Sequence, residues 1–248
     1  MKTGLSLNFV LLLGAFALTG AGLIYAPEYA SIGTFVFVLL GWVVGLCLHE
    51  FGHAYSAWRF GDHTIAQRGY LGLDPVAYIN GPMSIVLPII ILAIGGIALP
   101  GAAVLIRPDL IRQRWQQSLV SLAGPVVTLV LAFGFYVWAL GIYGDKPDSL
   151  LGDAVMLLAF FHFMAFVLNM LPLPGLDGYG VITPLLPQPL RGMAEKLERI
   201  PLITLVLVVV IFFFGFRYIF ALMYGFADLL NLEMQTAFRA FERFQFWR

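Results

Sequence analysis

Residues 32–58 read IGTFVFVLLGWVVGLCLHEFGHAYSAW, an apolar stretch with two histidines and a glutamate close to its end. A helix needs roughly 20 apolar residues to cross a bilayer, so this stretch predicts a transmembrane helix. Ionisable side chains inside such a helix are costly unless they are paired or hydrated. His49, Glu50 and His53 therefore indicate a functional site. The alternative is a polar pair that hydrogen-bonds to a neighbouring helix.

The composition of the whole chain points to lipid as its solvent. Of 248 residues, 60% are hydrophobic and 11% are charged, whereas soluble domains carry about 25% charged residues. The net charge of +0 gives no case for nucleic acid as a partner. Cys47 is the only cysteine, so an intrachain disulfide is excluded and the redox compartment is not indicated.

Hydropathy predicts an all-α polytopic membrane protein with five to six transmembrane helices. A shorter apolar run, Met83–Ile94, reaches only about 18 Å as a helix and is expected to be re-entrant. We expect one membrane domain over residues 1–248, with a first span in 1–31, a core at 32–180, and C-terminal spans with an interfacial tail in 181–248. The predicted spans are Leu7–Ala26, Ile32–Trp58, Ser118–Leu140, Ala154–Leu171 and Leu202–Leu222.

Two stretches beside the short apolar run favour extended structure over helix. Gln67–Asn80 is rich in glycine and β-forming residues, and Gly96–Arg107 is interrupted by Pro100 and Gly101. Both predict short membrane-associated strands or hairpins. Strands at membrane depth require protein or a water-filled cavity to satisfy their backbone groups.

Charge predicts the orientation. The loop after the third span holds Asp145, Asp148 and Asp153 against Lys146 alone. By the positive-inside rule, we expect the basic side to be cytoplasmic, in the cell (inner) membrane. The arginines after residue 217 do not indicate a side for the tail. The basic residues that share one side, if Met83–Ile94 does not cross, are Arg59, Arg68, Arg107, Arg112, Arg114, Arg191, Lys196 and Arg199.

The HExxH pattern at His49–His53 predicts a zinc site. Residues four apart lie on one face of a helix, so both imidazoles can reach one ion. Glu50 is then placed to act as general base on a water molecule. A catalytic zinc usually has a third protein ligand. His63 lies in a charged turn and His162 in an apolar helix, where solvated and packing roles respectively are expected.

Asp177 is the stronger candidate for the third ligand. Pro172 and Pro174 cannot continue the preceding helix, and Gly175 and Gly178 permit close backbone approach around the carboxylate. A carboxylate beside an apolar helix needs a partner, which a zinc ion supplies. The alternative is a turn that only caps the next helix.

Three motifs together resemble the site-2 protease family of intramembrane metalloproteases. They are HEFGHA at residues 49–54, SLAGP at 121–125 and NMLPLPGLDG at 169–178, in the order and spacing of that family. The resemblance is to the subgroup without a PDZ domain. It implies one Zn²⁺ on His49, His53 and Asp177, catalysis by Glu50, and a substrate-binding or oxyanion role for Asn169.

The resemblance also implies a substrate and a mode of action. The substrate would be a membrane protein whose transmembrane helix unwinds before hydrolysis. Thr128, Gly175 and Tyr179 depart from residues common in the family, which leaves substrate preference open. The oligomeric state and the physiological substrate are not indicated.

Two rival interpretations remain open from the residues alone. A membrane-anchored peptidase acting on soluble peptides at the cytoplasmic surface would favour a glutamate ligand, for which Glu195 and Glu198 are candidates. The other interpretation is a non-catalytic zinc-binding membrane regulator or transporter. A transporter would have ionisable residues spread over several spans, whereas here they are concentrated at one site.

Overall fold

The computed structural model describes residues 4–79, 104–198 and 234–246, together with residues 217, 221, 224 and 225. Short 3-10 turns at Pro27–Tyr29, Tyr70–Gly72, Pro108–Leu110 and Thr183–Leu185 lie between helices. The helices are α1 (Leu7–Tyr25), α2 (Ala30–Arg59), α3 (Thr64–Gln67), α4 (Arg114–Asp145), α5 (Leu150–Asn169), α6 (Asp177–Ile182), α7 (Leu190–Glu198) and α8 (Met234–Phe244).

Within the described residues, four helices are long and apolar enough to cross a membrane: α1, α2 with the 3-10 turn before it, α4 and α5. The structure therefore confirms a helix of suitable length at four of the five predicted spans, and the helix ends lie within about five residues of the predicted ones. The predicted fifth span, Leu202–Leu222, and the predicted re-entrant run, Met83–Ile94, lie outside the described residues.

Helix α5 is the centre of the bundle. It is buried on nearly all sides, in a core shared with α2 and α4 that includes Phe37, Trp42 and Phe161. Helices α1 and α4 instead expose apolar side chains outward, as expected where lipid is the solvent. These exposed residues include Leu7, Leu11, Leu18, Val130 and Val137.

The C-terminal end of α2 and the N-terminal end of α4 lie on the same side of the bundle. The carbonyl of Val120, in the second turn of α4, lies 2.7 Å from Nδ1 of His53. Beyond the helices, the backbone N–H of Arg107 donates to Oδ2 of Asp62 at 2.8 Å. The connection between α2 and α4 thus begins and ends on one side. This agrees with a re-entrant run, which itself stays a prediction.

The strand prediction for Gln67–Asn80 is wrong over residues 67–79. Gly69 and Leu73 have positive φ angles of 78° and 55°, so the backbone turns instead of extending. The Asp74 carboxylate accepts from the N–H of Val76 at 3.1 Å, a local bond that competes with strand pairing. Alternation of apolar and polar residues here reflects successive turns.

The described part of Gly96–Arg107, residues 104–107, also forms no strand. Its backbone groups bond to side chains: Val104 N–H donates to Glu50, Arg107 N–H donates to Asp62, and Leu105 C=O accepts from Arg68. These bonds take the groups that a β-ladder would use. The remainder of the predicted hairpin lies outside the described residues.

Helix α8 packs on the end of the bundle opposite Arg59. Arg243 donates to the buried carboxylate of Asp153, and Arg239 lies 3.9 Å from the same side chain. Ala240 and Phe244 are buried in the core formed with α5. Asp153 lies in the first turn of α5, 16 residues or about 24 Å from the other end of that helix. The structure thus places α8 at the Asp153 end of the bundle, whereas the charge pattern indicated no position for the tail.

Candidate active site

His49 and His53 lie one turn apart on α2 and converge on Asp177. Their Nε2 atoms are 3.1 Å apart. Each lies 3.2 Å from one carboxylate oxygen of Asp177, which is the first residue of α6. Both histidines are buried. Among the described residues, these three form the one group of three or more potential ligands close enough to share a metal ion.

The other ring nitrogen of each histidine has its own partner. Nδ1 of His53 lies 2.7 Å from the Val120 carbonyl, which can only accept, so this nitrogen carries the hydrogen. Nδ1 of His49 lies 2.8 Å from the Thr128 hydroxyl, which donates to the Gly124 carbonyl at 3.3 Å. The hydroxyl oxygen therefore accepts from His49. Both imidazoles direct the lone pair of Nε2 toward Asp177.

The donor set fits a tetrahedral divalent cation. Two nitrogen lone pairs and a carboxylate facing one another at 3.1–3.2 Å repel unless a cation lies among them. Ligand atoms about 2.0–2.1 Å from a tetrahedral ion are about 3.3 Å apart, close to the separations in this site. Three protein ligands leave one position open, as in catalytic sites.

The Gly124-Pro125 pair lets α4 approach the metal ligands. A Cβ atom at Gly124 would lie 2.2 Å from Nε2 of His53, closer than real atoms approach. Glycine at this position is therefore required for α4 to pack against the ligand helix at this distance. Close packing of α4 against His53 thus explains the glycine of the SLAGP motif.

The proline-glycine segment brings Asp177 to the histidines. Helix α5 ends at Asn169, and Gly175 turns the chain with a φ of 85°. A Cβ atom at Gly178 would lie 2.3 Å from the Met170 carbonyl, so the next helix doubles back tightly. The N-cap residue of α6 is Leu176, and the Asp177 carboxylate lies against the two histidines instead.

Glu50 faces the same cavity as the three ligands. The cavity has a volume of about 190 Å³, and Glu50, Asn169 and Ser121 line it. Oε2 of Glu50 accepts from the backbone N–H of Val104 at 2.9 Å. The Asn169 amide is buried against the cavity and makes no hydrogen bond within the part of the chain that the structure describes.

The other candidate ligands lie elsewhere. His63 is exposed beside α3, and Nδ1 of the buried His162 bonds to the Leu158 carbonyl. Glu195 pairs with Arg191 at 2.7 Å and does not join the histidines. For Glu198 the structure gives a backbone position only.

Three contacts in the site were not predicted from the sequence. They are Thr128 to His49, the Val120 carbonyl to His53, and the Val104 N–H to Glu50. Thr128 was identified only as a departure from the family, with a bearing on substrate preference. In the structure the Thr128 hydroxyl is instead the hydrogen-bond partner of the His49 ring. Both other contacts use backbone groups, which leave no mark in a sequence.

Curated proteins share long stretches of similarity with this chain. "Putative zinc metalloprotease Rip2" of Mycobacterium tuberculosis is 41% identical over 244 residues, covering 96% of this chain and 93% of the relative. The protein of the same name in Mycolicibacterium smegmatis is 40% identical over 238 residues, covering 94% and 88%. "Putative zinc metalloprotease YwhC" of Bacillus subtilis is 32% identical over 177 residues, covering 68% and 78%.

No family model and no solved structure matches the chain. Identity of 40% over nearly the whole length of both proteins is nevertheless sufficient to assign a family. The four apolar helices agree with a membrane protein of that kind. The chain belongs to the site-2 protease family.

Proposed function

We propose that this chain is an intramembrane zinc endopeptidase that hydrolyses peptide bonds in or near transmembrane segments of membrane proteins. The observation that carries the proposal is the position of Glu50 and three convergent ligands in one cavity of a transmembrane bundle. His53 and His49 precede Arg59 by six and ten residues, or about 9 and 15 Å along α2. The two histidines thus lie deeper in the bundle than Arg59, the last residue of α2.

In this proposal His49, His53 and Asp177 hold one zinc ion. Thr128 and the Val120 carbonyl fix the two rings in the tautomer that ligation needs. When bound, zinc supplies Lewis-acid chemistry: it lowers the pKa of water and polarises a carbonyl group.

Glu50 moves the proton of the reaction. It accepts a proton from the attacking water and transfers it to the nitrogen of the leaving amine, while the hydroxyl group adds to the carbonyl carbon and the C–N bond breaks. The Val104 N–H fixes one carboxylate oxygen, Oε2, and leaves Oε1 free to face the water. A base held in one orientation loses less entropy in the reaction than a free one.

Asn169 is proposed to hold the carbonyl oxygen of the scissile bond. Its amide lies in the cavity wall with donor capacity to spare. Donors aimed at the position where negative charge develops are a large part of hydrolytic catalysis.

We further propose that the site opens toward the cytoplasm from the cell membrane. Arg59, Arg107 and Arg114 lie at the end of the bundle nearest the site, while Asp145 and Asp153 lie at the other. The substrate is a transmembrane segment that unwinds locally, since helical backbone is fully hydrogen-bonded and resists attack.

A surface peptidase with a glutamate ligand finds less support. Glu195 is paired with Arg191, whereas Asp177 lies 3.2 Å from both histidines. A non-catalytic zinc protein would have no use for a glutamate held in the metal cavity by a backbone N–H.

The test is proteolysis by the full chain in liposomes. Purified wild type and Glu50→Gln are incubated with a single-span membrane protein and, separately, with soluble peptides of the same sequence. We expect wild type alone to cleave, with the membrane-embedded substrate preferred, and mass spectrometry to place the cut in or beside the span. Equal zinc in both proteins shows that the site is intact. Cleavage by Glu50→Gln, or of soluble peptides only, would refute the proposal.

A further inference from the structure

A second cavity adjoins the active-site cavity on the side of Arg114. It has a volume of about 200 Å³ and lies between α4, the segment after residue 104, and the chain from α6 to α7. Ile106 and Ser121 line both cavities, so the two lie side by side at these residues. The other residues that line the second cavity are Pro108, Ile111, Gln117, Val120, Gly180, Thr183, Pro184, Arg191 and Glu195.

The amide and the charged side chains that line the second cavity have partners within the protein. The Gln117 amide donates to the carbonyls of Pro108 and Ile111, at 2.9 and 3.2 Å. Nε of Arg191 donates to Glu195 at 2.7 Å, and the pair is neutral as a unit. A charged group entering the cavity would therefore meet no unpaired opposite charge. The apolar part of the lining consists of Ile106, Ile111, Val120 and the two prolines, beside the hydroxyl groups of Ser121 and Thr183.

Ser121 stands at the junction with its hydroxyl free. It makes no hydrogen bond within residues 4–79, 104–198 and the described tail. A Cβ atom at Gly180 would lie 2.6 Å from its Oγ, so the absence of a side chain at Gly180 keeps this point open. A polypeptide passing from one cavity to the other would bring backbone groups past this hydroxyl.

We propose that the second cavity is a specificity subsite for the substrate polypeptide on the Arg114 side of the scissile bond, and that it selects an apolar side chain. This inference rests on the proposed proteolytic function. Ser121 hydrogen-bonds to the substrate backbone at the junction, and Arg191 and Glu195 form the far wall. A large apolar side chain at this position raises kcat/KM by about ten- to a hundredfold over a small one, as expected for an apolar pocket.

The paired wall offers a reciprocal test. The Glu195→Gln variant leaves the positive charge of Arg191 without a partner. The Arg191→Gln variant leaves the negative charge of Glu195 without a partner. If a substrate side chain lies against this wall, the first variant gains preference for Asp or Glu at one position, and the second gains preference for Lys or Arg at the same position. We expect each change to be about tenfold, since opposite charges interact substantially at a partly buried site.

The experiment uses the full chain in liposomes and a library of single-span substrates randomised at four positions on each side of the cut. The control is the ion pair of Arg107 and Asp109, also 2.7 Å, which is exposed and lines neither cavity. Arg107→Gln and Asp109→Asn should leave every preference unchanged. Zinc content and thermal stability of all variants are measured alongside, so that damage to the fold is recognised.

Each outcome bears on one proposal. Opposite shifts at one shared position support the subsite. If wild type cleaves but neither variant changes its preference, or both change it at every position alike, the subsite is refuted while the proteolytic function stands. If wild type cleaves no member of the library, the proteolytic function fails and the subsite with it. Ser121→Ala should raise KM without loss of zinc, and an unchanged KM would contradict the role given to its hydroxyl.

Discussion

The Thr128 hydroxyl lies 2.8 Å from Nδ1 of His49 and joins the middle of α4 to the metal-facing imidazole. This contact sets both the tautomer and the ring orientation of His49. Partners of this kind typically alter metal affinity by about 10–100-fold when they are removed. We predict a loss of that size for Thr128→Val, measured by competition with a chelator. Thr128→Ser keeps the hydroxyl and should keep the affinity. Equal affinities for the Val and Ser variants would show that the contact is dispensable.

Removal of any one of the three proposed ligands should release the metal. His49→Ala, His53→Ala and Asp177→Ala each leave two protein donors, too few to hold zinc tightly. Metal content of the purified proteins is the measurement. His63→Ala and His162→Ala are the matched controls and should retain zinc. Full zinc in Asp177→Ala together with loss in Glu195→Ala would favour the surface-peptidase alternative.

The hydrogen bond from Val104 to Glu50 can be removed by proline, which has no backbone N–H. We predict that Val104→Pro retains zinc but loses most of its activity, because the base is no longer held in one orientation. Val104→Ala keeps the N–H and controls for the loss of the side chain. Activity in the proline variant equal to that in the alanine variant would show that the bond does not matter for catalysis.

Orientation in the membrane is testable by labelling single cysteines in a Cys47→Ala background. Cysteines in place of Arg112 or Arg191 should react with impermeant reagents only from the cytoplasm. Those at Ser149 and Glu242 should react only from outside. Glu242 is an exposed residue of α8, which packs at the Asp153 end of the bundle. Labelling of Glu242 and Arg112 from the same face would contradict the position of α8.

The sequence was informative where a single local pattern determines structure. Long apolar runs predicted four helices, and two histidines four apart predicted a shared face, because both depend on helix geometry alone. The segment after α3 misled, since Gly69 and Leu73 adopt left-handed conformations that hydropathy does not report. Residue composition there fits a strand, but tertiary contacts and turns determine the backbone.

The contacts between distant parts of the chain could not be predicted from the sequence. The metal cavity depends on α4 meeting α2 at Gly124, and on the carbonyl of Val120, which any residue could supply. Asp177 was predictable because prolines and glycines mark an unusual backbone. The end of the bundle at which α8 lies was not predictable, because its arginines are separated from Arg59 and Arg114 and pair with Asp153 at the opposite end. Their pairing with Asp153 becomes visible only in three dimensions.

That pairing also imposes an order on the maturation of the protein. Asp153 and Arg243 are 90 residues apart in the chain. At synthesis rates of about 5–20 residues per second, Arg243 is added to the chain roughly 5–20 s after Asp153. In the complete protein the Tyr143 hydroxyl donates to the same carboxylate at 2.9 Å, and this bond needs no part of α8, whereas the contact of Phe35 with Phe244 does. His49, Glu50, His53 and Asp177 all precede Arg243 in the chain, so they can come together before the Asp153–Arg243 ion pair forms. A nascent chain can therefore bring its three candidate metal ligands together before α8 closes the end of the bundle at Asp153.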